Sequence, residues 1–134
     1  MKIKTNKELL ELYPWLKLRN VWTGKVYENE CELDAMPRGW RISFGDELCE
    51  KINKLLVKAN YVNDYRITEI KEKWGELRWY NNGVPEIIFE ELNNLLDEYS
   101  EKSKHICINC GLPAEIDYEK SFFLPLCEKC KKNS

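Results

Sequence analysis

The sequence predicts an α+β fold, with two or three helices packed on a β-hairpin or small antiparallel sheet and a cysteine-stapled ribbon at the C-terminal end. Three observations carry that expectation. Apolar residues recur every three or four positions over 43–59 and again over 85–101, which is helix periodicity. Between those stretches, Leu77 and Trp79 alternate with Arg78 and Tyr80 directly after Trp74-Gly75, which is strand periodicity behind a turn. Finally, four cysteines stand as two Cys-x2-Cys pairs, Cys107/Cys110 and Cys127/Cys130, with sixteen residues between the pairs.

The chain has 134 residues, of which 43% are hydrophobic, and it carries five Trp, seven Tyr and four Phe. That is enough apolar material for a real core. The expected division is an α+β core over 1–104, including a basic N-terminal arm, and the ribbon over 105–134. A net charge of −2 excludes a uniformly basic nucleic-acid coat protein. No apolar run approaches the length of a membrane span, and Met1-Lys2-Ile3-Lys4 lacks the apolar segment of a secretion signal, so no membrane role is expected.

Thr5-Asn6-Lys7-Glu8 has the form of a capping box, opening a short helix with Leu9, Leu10 and Tyr13 on one face before Pro14. Residues 1–25 hold six Lys or Arg against two Glu, interleaved with Trp15 and Trp22. Such an arm can follow a phosphate backbone and stack on bases. The plainer reading is that its tryptophans pack on the core and its lysine stems lie along the surface. Residues 26–36 reverse the sign with Glu28, Glu30, Glu32 and Asp34. Their alternation would suit an extended segment holding a hard cation, but a solvated loop facing the arm is the preferred reading. Met36-Pro37-Arg38-Gly39-Trp40 reads as a turn anchored by an aromatic.

Ser43 is the expected N-cap of a helix through Ala59, with Asn60 as its left-handed C′ residue. Cys49 borders the apolar stripe of that helix, and Cys31 reads as a loop thiol. Residues 65–80 read as a β-hairpin. Ile67, Ile70 and Trp74 also fit helical spacing, but Gly75 and the alternation after it fit no helix. Asn81-Asn82-Gly83 breaks the chain, and Pro85 starts a helix with Ile88, Leu92, Leu95, Leu96 and Tyr99 on one face. From Trp79 to Glu101 there are six acidic residues and no Lys or Arg, so the outer face of this helix repels nucleic acid.

The paired Cys-x2-Cys spacing is that of a tetrahedral zinc site built from two knuckles. Each knuckle points two thiolates the same way, and Gly111 follows the second ligand where positive φ is needed. Redox dithiols would require a thioredoxin-like βαβ setting, which is absent. Rubredoxin-type iron fits less well, since the second knuckle reads Cys130-Lys131 with no following Gly. His105 finds no vacancy beside four thiolates and is a bystander. Residues 114–118 and 122–126 read as two short ribbon strands. Metal-binding thiols must stay reduced, which places the chain in the cytoplasm.

The order of these features resembles a group of small uncharacterised proteins of bacteriophages and prophages. Its members carry a KEKFGxLRFY-like hairpin, here Lys71-Glu72-Lys73-Trp74-Gly75-Glu76-Leu77-Arg78-Trp79-Tyr80, before a C-terminal four-cysteine zinc ribbon. The likeness spans residues 39–130, with Trp74 where Phe is usual. It implies an origin, the cytoplasm of a bacterial host, and an architecture, but brings no activity with it.

An enzyme is not expected. Four thiolates leave zinc no open position for water or substrate, and neither a P-loop nor a dinucleotide fingerprint is present. Two binding readings remain. The preferred one is a protein-interaction module acting on a host factor, supported by small size, segregated charge and five Trp. The other is nucleic-acid binding, with Arg66, Lys71, Lys73 and Arg78 on phosphates and Trp74 or Trp79 stacking. Against the latter, residues 101–134 hold six Lys against five acids, and a metallated four-thiolate centre adds negative charge. The candidate binding surface is therefore Trp15, Trp22, Arg66, Lys73, Trp74 and Arg78.

Overall fold

The computed structural model describes residues 3–119 and 123–132. Helix α1 (Asn6–Leu12) starts where its sequence predicts. The Glu8 N–H donates to Thr5 Oγ1, and the Thr5 N–H donates to the Glu8 carboxylate. These bonds satisfy donors that a helix start leaves bare. A single 3-10 turn (Pro14–Leu16) leads into β1 (Lys17–Arg19), which pairs antiparallel with β2 (Val26–Cys31). Residues 26–31 are thus a strand, where the sequence reads as a loop. Their acidic residues gave no apolar alternation, and only the ladder with β1 reveals the strand. Cys31, at its end, is buried and is not a loop thiol.

After a second 3-10 turn (Glu32–Ala35), α2 (Arg38–Trp40) runs through a π-helical turn (Arg41–Gly45) directly into α3 (Asp46–Lys58). The expected start at Ser43 is therefore corrected. Pro37 opens the helical run six residues earlier, and Ser43 lies exposed inside the π turn. Gly39 concealed that earlier start, because glycine is a poor helix former and reads as a turn. The π turn inserts one extra residue, a register change that no 3.6-residue pattern anticipates. Trp40, Phe44, Leu48, Ile52 and Leu56 are all buried. Asn60 takes φ 53, as expected of its C′ position.

Strands β3 (Ile67–Lys73) and β4 (Glu76–Asn81) form the predicted hairpin, and Lys73 faces Glu76 across the turn. Trp74 and Gly75 both have positive φ, 57° and 82°. That is the backbone of the tight turn whose twist matches the strands. Leu77 and Trp79 face the core together with Ile67 and Ile70, whereas Tyr80 is exposed and Arg78 is half-buried against Glu76. Helix α4 (Glu86–Ser103) covers this face and packs on α3 through Ile88, Leu92 and Tyr99.

The hairpin has only two strands, so the outward-facing peptide groups of Leu77 have no strand partner. Helix α4 supplies one. Leu77 N–H donates to Ser103 Oγ at 2.8 Å, and Ser100 Oγ donates to Leu77 O at 2.6 Å. The ring N–H groups of the buried tryptophans are also satisfied: Trp15 by Asn53 Oδ1 and Trp79 by the Tyr65 hydroxyl, each at 3.0 Å. Strands β5 (Glu115–Ile116) and β6 (Pro125–Leu126) pair antiparallel, followed by α5 (Glu128–Lys132). Phe122, first residue of the second expected ribbon strand, lies outside the described residues. Among the described residues, no helix is long and apolar enough to cross a membrane.

Two substitutions measure these contacts. Trp79→Ala empties a core position and leaves Tyr65 without its donor, at an expected cost of about 3–5 kcal/mol. Ser103→Ala removes few atoms but strands the Leu77 N–H, at an expected cost of about 1–3 kcal/mol. Urea unfolding of each variant against the parent chain, read as a midpoint shift at constant slope, gives both values.

Candidate metal centre

The two cysteine pairs meet. The Sγ atoms of Cys107, Cys110, Cys127 and Cys130 all lie within 4.8 Å of one another, and those of Cys110 and Cys127 are 3.5 Å apart. Four sulfurs at roughly 2.3 Å from a tetrahedral ion define edges of roughly 3.8 Å, so the donor set fits a metal. The cluster can therefore hold a metal ion through all four sulfurs. His105 is outside it: its Nδ1 lies 2.8 Å from the Glu115 carboxylate, linking the end of α4 to β5.

Local backbone bonds build each knuckle. In the first, Cys107 N–H donates to Leu112 O and Gly111 N–H to Cys107 O, closing a turn in which Gly111 takes φ 84. In the second, Lys131 N–H donates to Cys127 O as α5 begins. Ile108, between the first two ligands, joins three parts of the molecule. Its N–H donates to Pro125 O on β6, and its carbonyl accepts the Gly39 N–H, each at 2.8 Å.

That second bond seats the metal ribbon on the helical core. Trp40, fully buried, donates its ring N–H to Ile106 O at 3.0 Å. Gly39 lies flat on the knuckle. A Cβ at Gly39 would overlap Cys107 O and stand 2.7 Å from Ile108 O, so only glycine fits there. The hairpin tip makes a second seat: a Cβ on Gly75 would overlap Phe123 O and stand 2.7 Å from Ile116 Cδ1. The Gly39-Trp40 pair is the functional element that sequence reading undervalued. Its signal was a glycine-tryptophan step before a helix, with no hint of the surface it meets.

The sulfurs do not share one acidity. Burial pushes the Cys107 thiol up, but N–H groups of Cys127, Cys110 and Asn109 outweigh it and bring the group down to about 6. The Leu112 N–H favours the Cys110 thiolate, yet burial and the Cys127 and Cys107 sulfurs carry that thiol above its ordinary value. Hydrogen bonding with Cys127, followed by burial, pushes Cys130 up to about 12. Metal binding takes the sulfurs as thiolates and so releases protons, and affinity falls as pH falls.

The remaining candidates separate. Trp15 is buried at the core edge, edge-on to Tyr65 with ring centroids 5.3 Å apart. Trp79, considered for stacking, is likewise in the core. Trp22 is 92% exposed, at the tip of the β1–β2 hairpin. Trp74 is 64% exposed at the other hairpin tip, its ring 5.9 Å from that of Phe123. Lys73 is exposed beside Trp74, with Glu72 and Glu76 also adjacent to that turn. Lys71 is paired with Glu69, and Arg78 with Glu76. Arg66 stands apart from the Trp74 tip, lining a cleft with Trp15 and β1. Compared with protein-family models, curated proteins and solved structures, the chain matches none.

Cys110→Ser is expected to abolish metal binding, read by elemental analysis of protein purified without chelator. Removal of the metal is expected to red-shift emission from Trp40, measured in a variant whose other tryptophans are Phe. Gly39→Ala, which forces the knuckle off α2, is expected to destabilise by about 1–3 kcal/mol and to weaken metal retention against a competing chelator.

Proposed function

We propose that this chain is a zinc-bound, non-catalytic interaction module whose partner is a protein. The observation that carries the reading is Trp22, nearly fully solvated on a turn whose backbone is hydrogen-bonded. Asn20 Oδ1 accepts the N–H groups of both Trp22 and Thr23, at 2.8 and 3.0 Å. Asn20 N–H donates to Lys25 O, Gly24 N–H donates to Asn20 O, and Gly24 takes φ 77. A floppy tip would lose backbone entropy on binding, whereas this turn carries a large aromatic on a hydrogen-bonded backbone. Tryptophan is the side chain most enriched where alanine substitution costs most binding energy.

Zinc fits the centre best because it accepts four thiolates in a closed tetrahedron and brings no redox chemistry to a structural staple. A closed shell leaves no ligand position for substrate, which supports a role without catalysis. Nucleic-acid binding is the weaker reading. The exposed Trp74 stands between Glu72 and Glu76, Lys71 is paired, and α4 faces outward with acidic residues, so no continuous positive track links the two exposed tryptophans.

The test uses the metal-loaded chain with a photoactivatable cross-linker at Val21, which is 65% exposed beside Trp22. In host lysate, one defined protein adduct is expected, greatly reduced by Trp22→Ala. In parallel, single- and double-stranded DNA and RNA are titrated at physiological ionic strength. Submicromolar, stoichiometric nucleic-acid binding lost on Lys73→Ala or Arg78→Ala would replace this proposal. Elemental analysis returning iron and no zinc would overturn the metal assignment.

A further inference from the structure

We infer that the cleft between the β1–β2 hairpin and the chain entering β3 receives a carboxylate side chain from an acidic peptide segment, held by Arg19 and Arg66 beside the Trp22 tip. This rests on the protein-interaction reading above and specifies the chemistry of the partner.

The cleft encloses about 200 Å³, room for one side chain and not for an extended ligand. Trp15 and Tyr65 line it, and Lys17, Arg19 and Arg66 bring three cations to it from two separate segments. Lys17 is already neutralised by Glu28 at 2.5 Å. The two arginines are not. Arg19 donates Nη1 to Gly24 O at 3.1 Å, and Arg66 donates Nη1 to Asn63 O and Tyr65 O at 3.2 and 3.0 Å. Among the described residues, neither guanidinium makes a salt bridge. Main-chain carbonyls hold these groups in place without cancelling their charge. A guanidinium so held has N–H donors to spare, and the planar group that matches them in pairs is a carboxylate.

Glu32 lines the same cleft, but its carboxylate accepts the backbone N–H of Arg19 at 3.2 Å and pairs with neither guanidinium. Burial raises the pKa of Glu32 above the ordinary carboxylate range, while the Arg19 N–H holds it the other way. Glu28 also lines the cleft, and with Glu32 it disfavours a polyanion more than a single carboxylate. The Gly24 carbonyl that holds Arg19 belongs to the turn carrying Trp22. A partner that engages this turn is offered Arg19 as well as Trp22, which favours an acidic residue near an apolar one.

The test selects a random dodecapeptide library on the metal-loaded chain at physiological ionic strength. Enriched peptides are expected to carry Asp or Glu next to an apolar residue. Their affinity is expected to fall about tenfold or more with Arg19→Gln and with Arg66→Gln, the loss of a hydrogen bond to a charged group. Unchanged near-ultraviolet circular dichroism verifies that each variant is folded. Enrichment of peptides without acidic residues overturns the inference, as does failure to enrich any peptide. Peptides that lose binding on Trp22→Ala but keep it in both arginine variants also overturn it, while leaving the protein-interaction reading in place. Uptake of a thymidine oligonucleotide in place of peptides, dependent on Arg19, overturns both.

Discussion

The contact on which the rest of this structure depends is the one between Gly39-Trp40 and the first cysteine knuckle. It is made of main-chain and ring hydrogen bonds, Gly39 N–H to Ile108 O and Trp40 ring N–H to Ile106 O, at a place where no side chain fits between the backbones. The geometry couples two structures that are weak alone. The ribbon is a pair of two-residue strands, far too small to bury a core. The start of the helical run, from Pro37 through the π turn, has no side-chain cap. Each supplies partners for the other's open backbone groups, so the metal centre is joined to the whole core and not only to its own loop.

The same solution recurs through the fold. Each sheet has two strands and therefore two edges, and buried edges must be paired with something other than a strand. Ser100 and Ser103 do this for Leu77 from α4. Tyr65 and Asn53 do the equivalent for the ring N–H groups of Trp79 and Trp15. The chain is rich in tryptophan and poor in long strands, and these polar bonds let large aromatic surfaces be buried without unsatisfied donors. Against that background, Trp22 and Trp74 stand out by their exposure. Both occupy hairpin tips, where nothing in the fold requires an aromatic.

Charge follows the tips as well. Lys17, Lys58, Lys71 and Arg78 each have a carboxylate partner, while Arg19 and Arg66 are held only by carbonyls. Tryptophan and arginine are both enriched among the residues that dominate binding energy at protein interfaces. Arg66 was visible as a candidate in the sequence. Its neighbours were not, because β1 and the chain entering β3 lie more than forty residues apart.

Much of the architecture was legible from local pattern. The capping box of α1, the Trp74-Gly75 turn, the alternation through Leu77 and Trp79, and the stripe of α4 all depend on residues close in sequence, where periodicity and turn chemistry act directly. The four cysteines that can hold a metal were legible for the same reason, since knuckle spacing is a local property. The acidic strand β2 was not legible, because its pairing with β1 leaves no alternation to read. The helix start at Pro37 was not legible either, since Gly39 looks like a turn until the knuckle it touches is known. Trp15 and Trp22 sit in one basic stretch with similar neighbours, and sequence reading treated them alike. The sequence by itself determined most of the elements and the four-cysteine donor set, through interactions that span a few residues. Only the tertiary structure decided which aromatics are buried, which arginines share a cleft, and where the ribbon rests, because those depend on surfaces contributed by distant parts of the chain.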